Sequence, residues 1–244
     1  MRSTDGLRNQ LDQVRRRIQA AAHRCGRPAE AVTLVGVTKG MPAEVVEEAV
    51  RLGLSDVGEN RVQEARDKQT AVGRRPKAEG RDDPARWHLV GHLQRNKVKL
   101  AVELFDVIHS VDSLPLVTAL EGAMSQRLQA EPPLDVLIQV NVSGEPTKSG
   151  CPPNQVIELA IAVRGATHLR LAGLMTMAPF DSNPEAARPH FRQLRNLRDE
   201  AALASGLQPS ALGLSMGMSQ DFEVAIEEGA DLVRIGTALF GPRE

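Results

Sequence analysis

The chain has 244 residues, 41% of them hydrophobic and 25% charged, which is the balance of an ordinary globular protein. Its formal net charge of -1 argues against a protein that holds nucleic acid by bulk charge, and its aromatic content of 2% argues against a base-stacking surface. Its apolar runs are too short to cross a bilayer, and the N-terminus lacks the apolar core of a signal peptide. Cys25 and Cys151 form no CxxC pair, so we expect reduced thiols in a cytoplasmic protein.

The first predicted element is an amphipathic helix over residues 7–22. Its apolar side chains recur at steps of four and three and share one stripe, with a run of arginines on the solvated side. The stripe consists of Leu7, Leu11, Val14, Ile18 and Ala21.

Short apolar runs then alternate with helical patterns along the rest of the chain. These candidate strands cover residues 32–38, 56–58, 87–91, 107–110, 134–142, 169–176, 212–216 and 232–236. Strands that alternate with helices predict βα units and a parallel sheet. Eight units favour one α/β domain over residues 1–244, a (β/α)8 TIM barrel with an extra N-terminal helix. The alternative is a doubly wound sheet, but no GxGxxG motif follows the first strand.

One stretch, residues 73–86, interrupts this alternation. Its sequence, GRRPKAEGRDDPAR, combines glycine, proline and charge with almost no apolar side chain. We expect a mobile surface loop before the third strand, with no function of its own that the sequence reveals.

Polar residues concentrate where the predicted strands end. The chemistry of a (β/α)8 barrel sits in the loops that follow the carboxyl ends of its strands. The polar residues at these ends are Lys39, Glu59, Asn60, His92, Gln94, Asn141, Thr176, Ser219 and Thr237.

Lys39 directly follows the apolar run LVGVT. A lysine at a strand end is commonly a solvated rim charge, since lysine is rarely buried. A partly desolvated amine has a lowered pKa, however, and attacks carbonyl groups near neutral pH. Two classes of barrel protein use such a lysine: class I aldolases, which need no bound cofactor, and proteins that hold pyridoxal phosphate.

Two glycine turns favour the second class. SMGMS and RIGT follow the seventh and eighth predicted strands, where barrels commonly bind phosphate. Gly217 and Gly236 allow backbone N–H groups to approach a phosphate, and Ser219 and Thr237 add hydroxyl groups. Ser219 also precedes the helical pattern QDFEVAIEEG, so we expect it to cap that helix.

Arg234 shares a strand face with Gly236, two residues further on. An arginine that points into a barrel needs a partner. One possibility is a buried ion pair with a carboxylate. The other is donation to a ring nitrogen, which would keep a pyridine unprotonated.

His88 and His92 stand four residues apart, but no Cys, Asp or Glu nearby completes a ligand set, so we expect no metal site. His88 is predicted to be a hydrogen-bonding residue in the barrel interior. Glu59 is predicted to be a salt-bridge partner, with a role as a base as the alternative.

With these residues in view, the sequence resembles the pyridoxal phosphate homeostasis proteins. The motifs that carry the resemblance span the chain and are VGVTKGMP, VGENRVQEARDK, WHLVGHLQRNK, VIHSVDS, VLIQVNVSGEPTKSG, LAGLMTM and LSMGMSQDFEVAIEEGADLVRIGTALFG. The chain departs from many bacterial members in lacking a second lysine after Lys39 and in having Arg61 in place of a tyrosine.

The resemblance implies a single barrel similar to the N-terminal domain of alanine racemase, with Lys39 holding pyridoxal 5'-phosphate as an internal aldimine. It implies phosphate contacts from Ser219, Gly236 and Thr237, and it places Arg234 at the pyridine nitrogen. The remaining cofactor-binding positions that it implies are Asn60, near the ring, and Met218, through its backbone. Lys148 matches a family lysine that is connected with cofactor transfer.

The function implied by the resemblance is a carrier that buffers pyridoxal phosphate, without catalytic turnover. Its partners would be the cofactor and, transiently, apo-enzymes that depend on it. Alanine racemase uses a tyrosine base from a second domain, and this chain contains no tyrosine. The alternative is a pyridoxal-phosphate enzyme acting on amino acids, such as a racemase. No long apolar surface stripe is evident in the sequence, so we expect a monomer.

Overall fold

The computed structural model describes residues 4–73, 85–127 and 132–241. Of the loop predicted over residues 73–86, residues 74–84 lie outside this described part.

Eight parallel strands close into a barrel in which each strand pairs with its neighbours in the sequence and β8 pairs with β1. The strands are β1 (Thr33–Val37), β2 (Asp56–Glu59), β3 (Arg86–Leu89), β4 (Val107–Val111), β5 (Leu134–Gln139), β6 (Leu169–Met175), β7 (Gly213–Ser215) and β8 (Leu232–Ile235). The predicted (β/α)8 barrel is therefore confirmed. The connections are long enough to hold helices, as parallel pairing requires.

The described helices surround the barrel. They are α1 (Thr4–Arg24), α2 (Ala43–Arg51), α3 (Val62–Ala71), α4 (Val98–Leu104), α5 (Leu114–Ser125), α6 (Val156–Gly165), α7 (Arg188–Ala204), α8 (Phe222–Glu227) and α9 (Thr237–Phe240). None of these described helices is long and apolar enough to pass through a membrane.

The extra N-terminal helix, α1, packs against α8 and α9. The predicted apolar stripe is buried in this contact, including Leu11 and Val14, each 2% exposed. On its polar side Arg17 forms an ion pair with Glu223 of α8 at 3.0 Å. The helix thus covers the last two βα units, which carry both glycine turns, and its burial is part of what holds them in place.

Burial of strand residues on both faces explains why the strands were visible in the sequence. All residues of β2, β4 and β5 are buried, because helices cover the outside and side chains fill the inside. Register shifts interrupt the pairing of β5 with both of its neighbours. The carboxyl ends of all the strands come together at one mouth of the barrel.

Candidate functional site

A cavity of about 410 Å³ lies at the carboxyl-end mouth, between the segments that follow β1, β2, β3, β6, β7 and β8. Every cofactor-binding residue that the resemblance implied lines this cavity. These residues are Lys39, Asn60, Met218, Ser219, Arg234, Gly236 and Thr237. Apolar walls come from both sides of the barrel, with Val37 and Val90 on one side and Met177 and Pro179 on the other.

Lys39 is half-buried in the turn that follows β1, and α3 holds this turn from two sides. Lys68 Nζ donates a hydrogen bond to the carbonyl oxygen of Thr38 at 2.7 Å. The backbone N–H of Gly40 donates to Glu64 Oε2 at 3.2 Å. Because Glu64 and Lys68 lie one helical turn apart, a single face of α3 fixes the backbone before and after Lys39.

A buried ion pair lies beside this turn. Glu59 is fully buried at the end of β2, and Lys68 Nζ lies 2.6 Å from its Oε1. The hydroxyl of Thr38 also donates to this oxygen, at 2.5 Å. Burial raises the pKa of Glu59, although the contacts with Lys68 and Thr38 act in the opposite direction. The prediction of a salt-bridge partner is confirmed, but the pair lies in the interior rather than on a solvated rim.

The prediction that Ser219 caps the helix after β7 is wrong. The helix begins at Phe222, and the residue at its N-cap position is Asp221, whose Oδ1 accepts a hydrogen bond from the N–H of Met218 at 2.6 Å. The hydroxyl of Ser219 instead accepts from the N–H of Ala238 at 3.1 Å. Ser219 therefore links the two glycine turns to each other, an arrangement that depends on a contact across 19 residues.

Gly217 allows a close approach between its turn and α8. Its φ is +92°, and a Cβ at this position would lie 2.6 Å from Cβ of Ala225 and 2.8 Å from Cα of Phe222. Its carbonyl oxygen accepts the N–H of Arg234 at 3.0 Å. Gly217 therefore lets the turn pack closely against α8 and at the same time holds the backbone of Arg234 through this hydrogen bond.

Arg234 is 4% exposed and lines the cavity from β8. Its Nη1 donates to Ser215 Oγ at 2.6 Å, and its Nη2 donates to the carbonyl oxygen of Thr176 at 2.7 Å. Burial lowers its pKa to about 10, with the charge of Asp221 opposing that shift, so the group stays cationic at neutral pH. Across residues 4–73, 85–127 and 132–241, no carboxylate lies within ion-pair distance of it. The predicted alternative of a direct buried ion pair is therefore wrong.

Several polar residues at strand ends do not reach the cavity. His92 lies 3.7 Å from Asp112, and Lys148 belongs to the loop after β5, where its carbonyl oxygen accepts from Asn141 Nδ2 at 3.4 Å. His88 points into the barrel interior, where it makes hydrogen bonds as predicted. Among the residues that the structure describes, no three His, Cys, Asp or Glu side chains are grouped so that they could hold a metal ion.

Sequence reasoning missed Lys68 and Asp221 as parts of the site. A signal for Lys68 was present, because it follows Val62 and Ala65 at steps of three along α3, and both of these are buried. A lysine on a buried helical stripe predicts a buried partner. No such signal was present for Asp221, because its bond to the N–H of Met218 depends on the conformation of the turn between them.

Comparisons with known proteins show which family the chain belongs to. The family model described as "Alanine racemase, N-terminal domain" matches residues 10–244. A pyridoxal phosphate homeostasis protein of Aquifex aeolicus is 43% identical over 234 residues, 96% of this chain and 97% of the relative. One from Pseudomonas aeruginosa is 44% identical over 234 residues, 96% of this chain and 94% of the relative.

A solved structure shows the same architecture with a ligand. PipY of Synechococcus elongatus PCC7942, determined with PLP bound, superimposes with a TM-score of 0.78 at 32% identity. The match covers 96% of this chain and 100% of PipY.

Proposed function

Because the chain belongs to the family of pyridoxal phosphate homeostasis proteins, we propose that it binds pyridoxal 5'-phosphate in the cavity at the carboxyl-end mouth. It holds the cofactor through Lys39 and works as a carrier and buffer rather than as an enzyme. The observation that carries this proposal is the convergence of one amine, one buried guanidinium and two linked glycine turns on a single cavity.

The residues present fit this cofactor. A phosphorylated pyridine aldehyde needs an amine that can react with its aldehyde and apolar side chains on either side of its ring. Its phosphate needs hydrogen-bond donors that can approach closely, such as backbone N–H groups of glycine turns and small hydroxyl side chains. Lys39 supplies the amine, and Val37 and Val90 supply one wall. Ser219 and Thr237 supply hydroxyl groups, and Gly217 permits a turn that any larger residue would push away from α8.

We assign a role to each of these side chains. Lys39 attaches the cofactor covalently, while Ser219, Gly236 and Thr237 hold its phosphate. Asn60 lies near the ring, and Met218 contributes through its backbone. Arg234, which can only donate, faces the ring nitrogen and keeps it unprotonated. When bound, the cofactor supplies a conjugated ring that accepts electrons from attached amines, and an unprotonated nitrogen makes that ring a weak acceptor.

The carrier function is supported by the acid–base groups around the cavity. The chain has no tyrosine, the residue that supplies the second base in alanine racemase. Asp221 lines the cavity, but its carboxylate already accepts from Met218 N–H. A racemase or another amino-acid enzyme is the alternative hypothesis, and no observation in the structure favours it.

The same proposal covers the setting in which the carrier works. Residues 1–244 act as one domain and as a monomer in the cytoplasm, passing the cofactor transiently to apo-enzymes. The thiols Cys25 and Cys151, neither of them in a disulfide, support a reducing compartment. Lys148 acts outside the cavity, in a step of cofactor transfer rather than in holding it.

Replacing Lys39 with alanine is expected to abolish the visible absorbance of the purified protein incubated with pyridoxal 5'-phosphate. Wild type should be yellow, lose its band on borohydride reduction, and then carry the reduced cofactor on the peptide that contains Lys39. The control is Lys99→Ala, which removes an exposed lysine from α4 and should leave the band unchanged. A wild-type protein that stays colourless and takes up no cofactor rejects the proposal.

A second measurement separates the carrier from an enzyme. The loaded protein is incubated with L- and D-amino acids, and racemisation, transamination and decarboxylation are followed against free cofactor at the same concentration. We expect no turnover above that background. Turnover above it, absent in Lys39→Ala, rejects the carrier function and supports the enzyme.

A further inference from the structure

A chain of hydrogen bonds crosses the interior of the barrel and ends at Arg234. Asp56 Oδ1 lies 2.9 Å from His88 Nε2, His88 Nδ1 lies 2.9 Å from His109 Nε2, and His109 Nδ1 lies 2.9 Å from Ser215 Oγ. Ser215 Oγ in turn receives the bond from Arg234 Nη1. We call Asp56, His88, His109 and Ser215 the relay.

The carboxylate at one end and the arginine at the other give these bonds one consistent direction. The carboxylate of Asp56 only accepts, so His88 donates to it from Nε2. With one hydrogen on each imidazole, His88 Nδ1 accepts from His109 Nε2–H, and His109 Nδ1 accepts from the hydroxyl of Ser215. The lone pairs of the Ser215 oxygen then accept from Arg234, which can only donate.

Burial agrees with this arrangement. His88, His109 and Ser215 are fully buried, so water does not offer them alternative partners. Burial lowers the pKa of His109 well below its ordinary value, and the charge of Arg234 acts in the same direction. His109 is therefore neutral, as the bond directions require.

The relay connects two different cavities. Arg234 lines the cavity assigned to the cofactor. Asp56 lines a larger cavity of about 750 Å³ at the opposite end of the barrel, between α1 and the amino ends of β1 and β2. Burial alone would raise the pKa of Asp56, but hydrogen bonds from His88 and Ser55 outweigh it and the pKa is lowered. The far end of the relay is thus a stable negative charge.

We propose that the relay positions Arg234 for the bound cofactor. The negative charge of Asp56, at the amino end of the barrel, would in this way control the orientation of the Arg234 guanidinium that donates to the ring nitrogen at the carboxyl-end mouth. This inference rests on the proposed function. The physical reason is the direction of the bonds: while His109 accepts from Ser215, the serine lone pairs stay available to Arg234. If His109 carried its hydrogen on Nδ1, the serine oxygen would accept from both His109 and Arg234, and the buried serine hydrogen would lose His109 as its acceptor.

Asp56→Asn is the sharpest test because an amide donates as well as accepts. In this variant, an amide NH₂ group turned towards His88 Nε2 would reverse the series and move both imidazole hydrogens to Nδ1. The matched control is Glu30→Gln. Glu30 lines the same cavity as Asp56, so this variant loses the same charge there without changing a residue of the relay.

The first readout needs no cofactor. In ¹⁵N-histidine NMR spectra at pH 7, wild type and Glu30→Gln should show the hydrogens of His88 and His109 on Nε2, with Nδ1 of each ring as an acceptor. Asp56→Asn should move part or all of that population to Nδ1. A wild-type His109 with its hydrogen on Nδ1, or an Asp56→Asn spectrum identical to wild type, rejects the relay.

The second readout is the absorbance spectrum and affinity of bound pyridoxal 5'-phosphate. Asp56→Asn should move the absorbance maximum and weaken binding about three- to tenfold, the effect of one compromised hydrogen bond, while Glu30→Gln should match wild type. Ser215→Ala, which cuts the series next to Arg234, should move the band in the same direction and serves if Asp56→Asn does not fold. If both variants bind with the wild-type spectrum, the positioning role is rejected. A wild type that binds no cofactor rejects the proposed function instead, and the NMR result still decides whether the relay exists.

Discussion

Replacing Lys68 with methionine is expected to lower the free energy of unfolding by about 3 kcal/mol at pH 7.5, with an upper limit of about 4 kcal/mol. The substitution removes the cation that lies 2.6 Å from Glu59 and leaves a fully buried carboxylate without a countercharge. Such a carboxylate is neutralised by taking up a proton. Protonation costs about 1.36 kcal/mol for each pH unit above the ordinary pKa of 4.5, and this sets the upper limit, because the pKa of Glu59 is already raised in the wild type.

The same reasoning gives the pH dependence. In Lys68→Met the pKa of Glu59 in the folded protein is raised further above its unfolded value. A group with a raised folded pKa contributes its stability below the unfolded pKa and loses it as the pH rises through the folded one. The penalty should therefore shrink to less than about 1 kcal/mol at pH 5 and grow towards pH 7.5. Urea unfolding at the two pH values measures it.

Two further variants isolate the ion pair. The double variant Glu59→Gln, Lys68→Met removes both charges and should recover most of the lost stability, because a neutral pair needs no countercharge. Lys99→Met, at an exposed lysine, should change stability by less than about 0.5 kcal/mol. A Lys68→Met penalty that is equal at pH 5 and pH 7.5 would show that lost packing, rather than a stranded charge, dominates.

This pair also bears on the site, since Lys68 holds the carbonyl of Thr38 directly before Lys39. Lys68→Met should therefore bind pyridoxal 5'-phosphate more weakly than Lys99→Met does. The buried ion pair thus has two roles. It holds α3 against the barrel, and it fixes the backbone of the turn that carries Lys39.

The barrel could be predicted from the sequence because each of its strands is a short apolar run bounded by helical patterns. In a parallel barrel both faces of a strand are covered, so the run is continuous and its ends are marked by turns. The predicted strands differ from the observed ones at their ends. The fifth strand was predicted to reach residue 142, but β5 ends at Gln139. Beyond it Val140 forms an isolated bridge with Cys151, a contact with the following loop that an apolar run cannot reveal.

The cavity lining could be predicted because topology alone brings strand ends together. Lys39, Ser219 and Thr237 follow different strands, and the barrel places all of them at one mouth. The hydrogen bonds could not be predicted in the same way. Whether Ser219 caps α8 or meets Ala238 depends on the distance between two loops, which is a property of the packed structure. The direction of the relay likewise depends on which residues stand at its two ends.

Replacing Gly217 with alanine is expected to lower the free energy of unfolding by about 3 kcal/mol, the sum of backbone strain and a steric clash. The new Cβ would lie 2.6 Å from Cβ of Ala225 and 2.8 Å from Cα of Phe222, and φ of +92° is a conformation that residues with a side chain rarely adopt. Backbone atoms of α8 cannot yield as the end of a flexible side chain does. The glycine turn must therefore move away from α8.

Gly206→Ala is the matched control, because it separates strain from contact. Gly206 has φ of +70°, but no atom lies within 4 Å of a Cβ built there, so its penalty should be only about 1 kcal/mol. Gly217→Ala should also weaken binding of pyridoxal 5'-phosphate, since the displaced turn carries Ser219 and the carbonyl oxygen that accepts from Arg234 N–H. Gly206→Ala should bind as wild type does. Equal losses of stability in the two variants would mean that α8 adapts to the added methyl group. Close packing of Gly217 against α8 would then not be what positions the glycine turn.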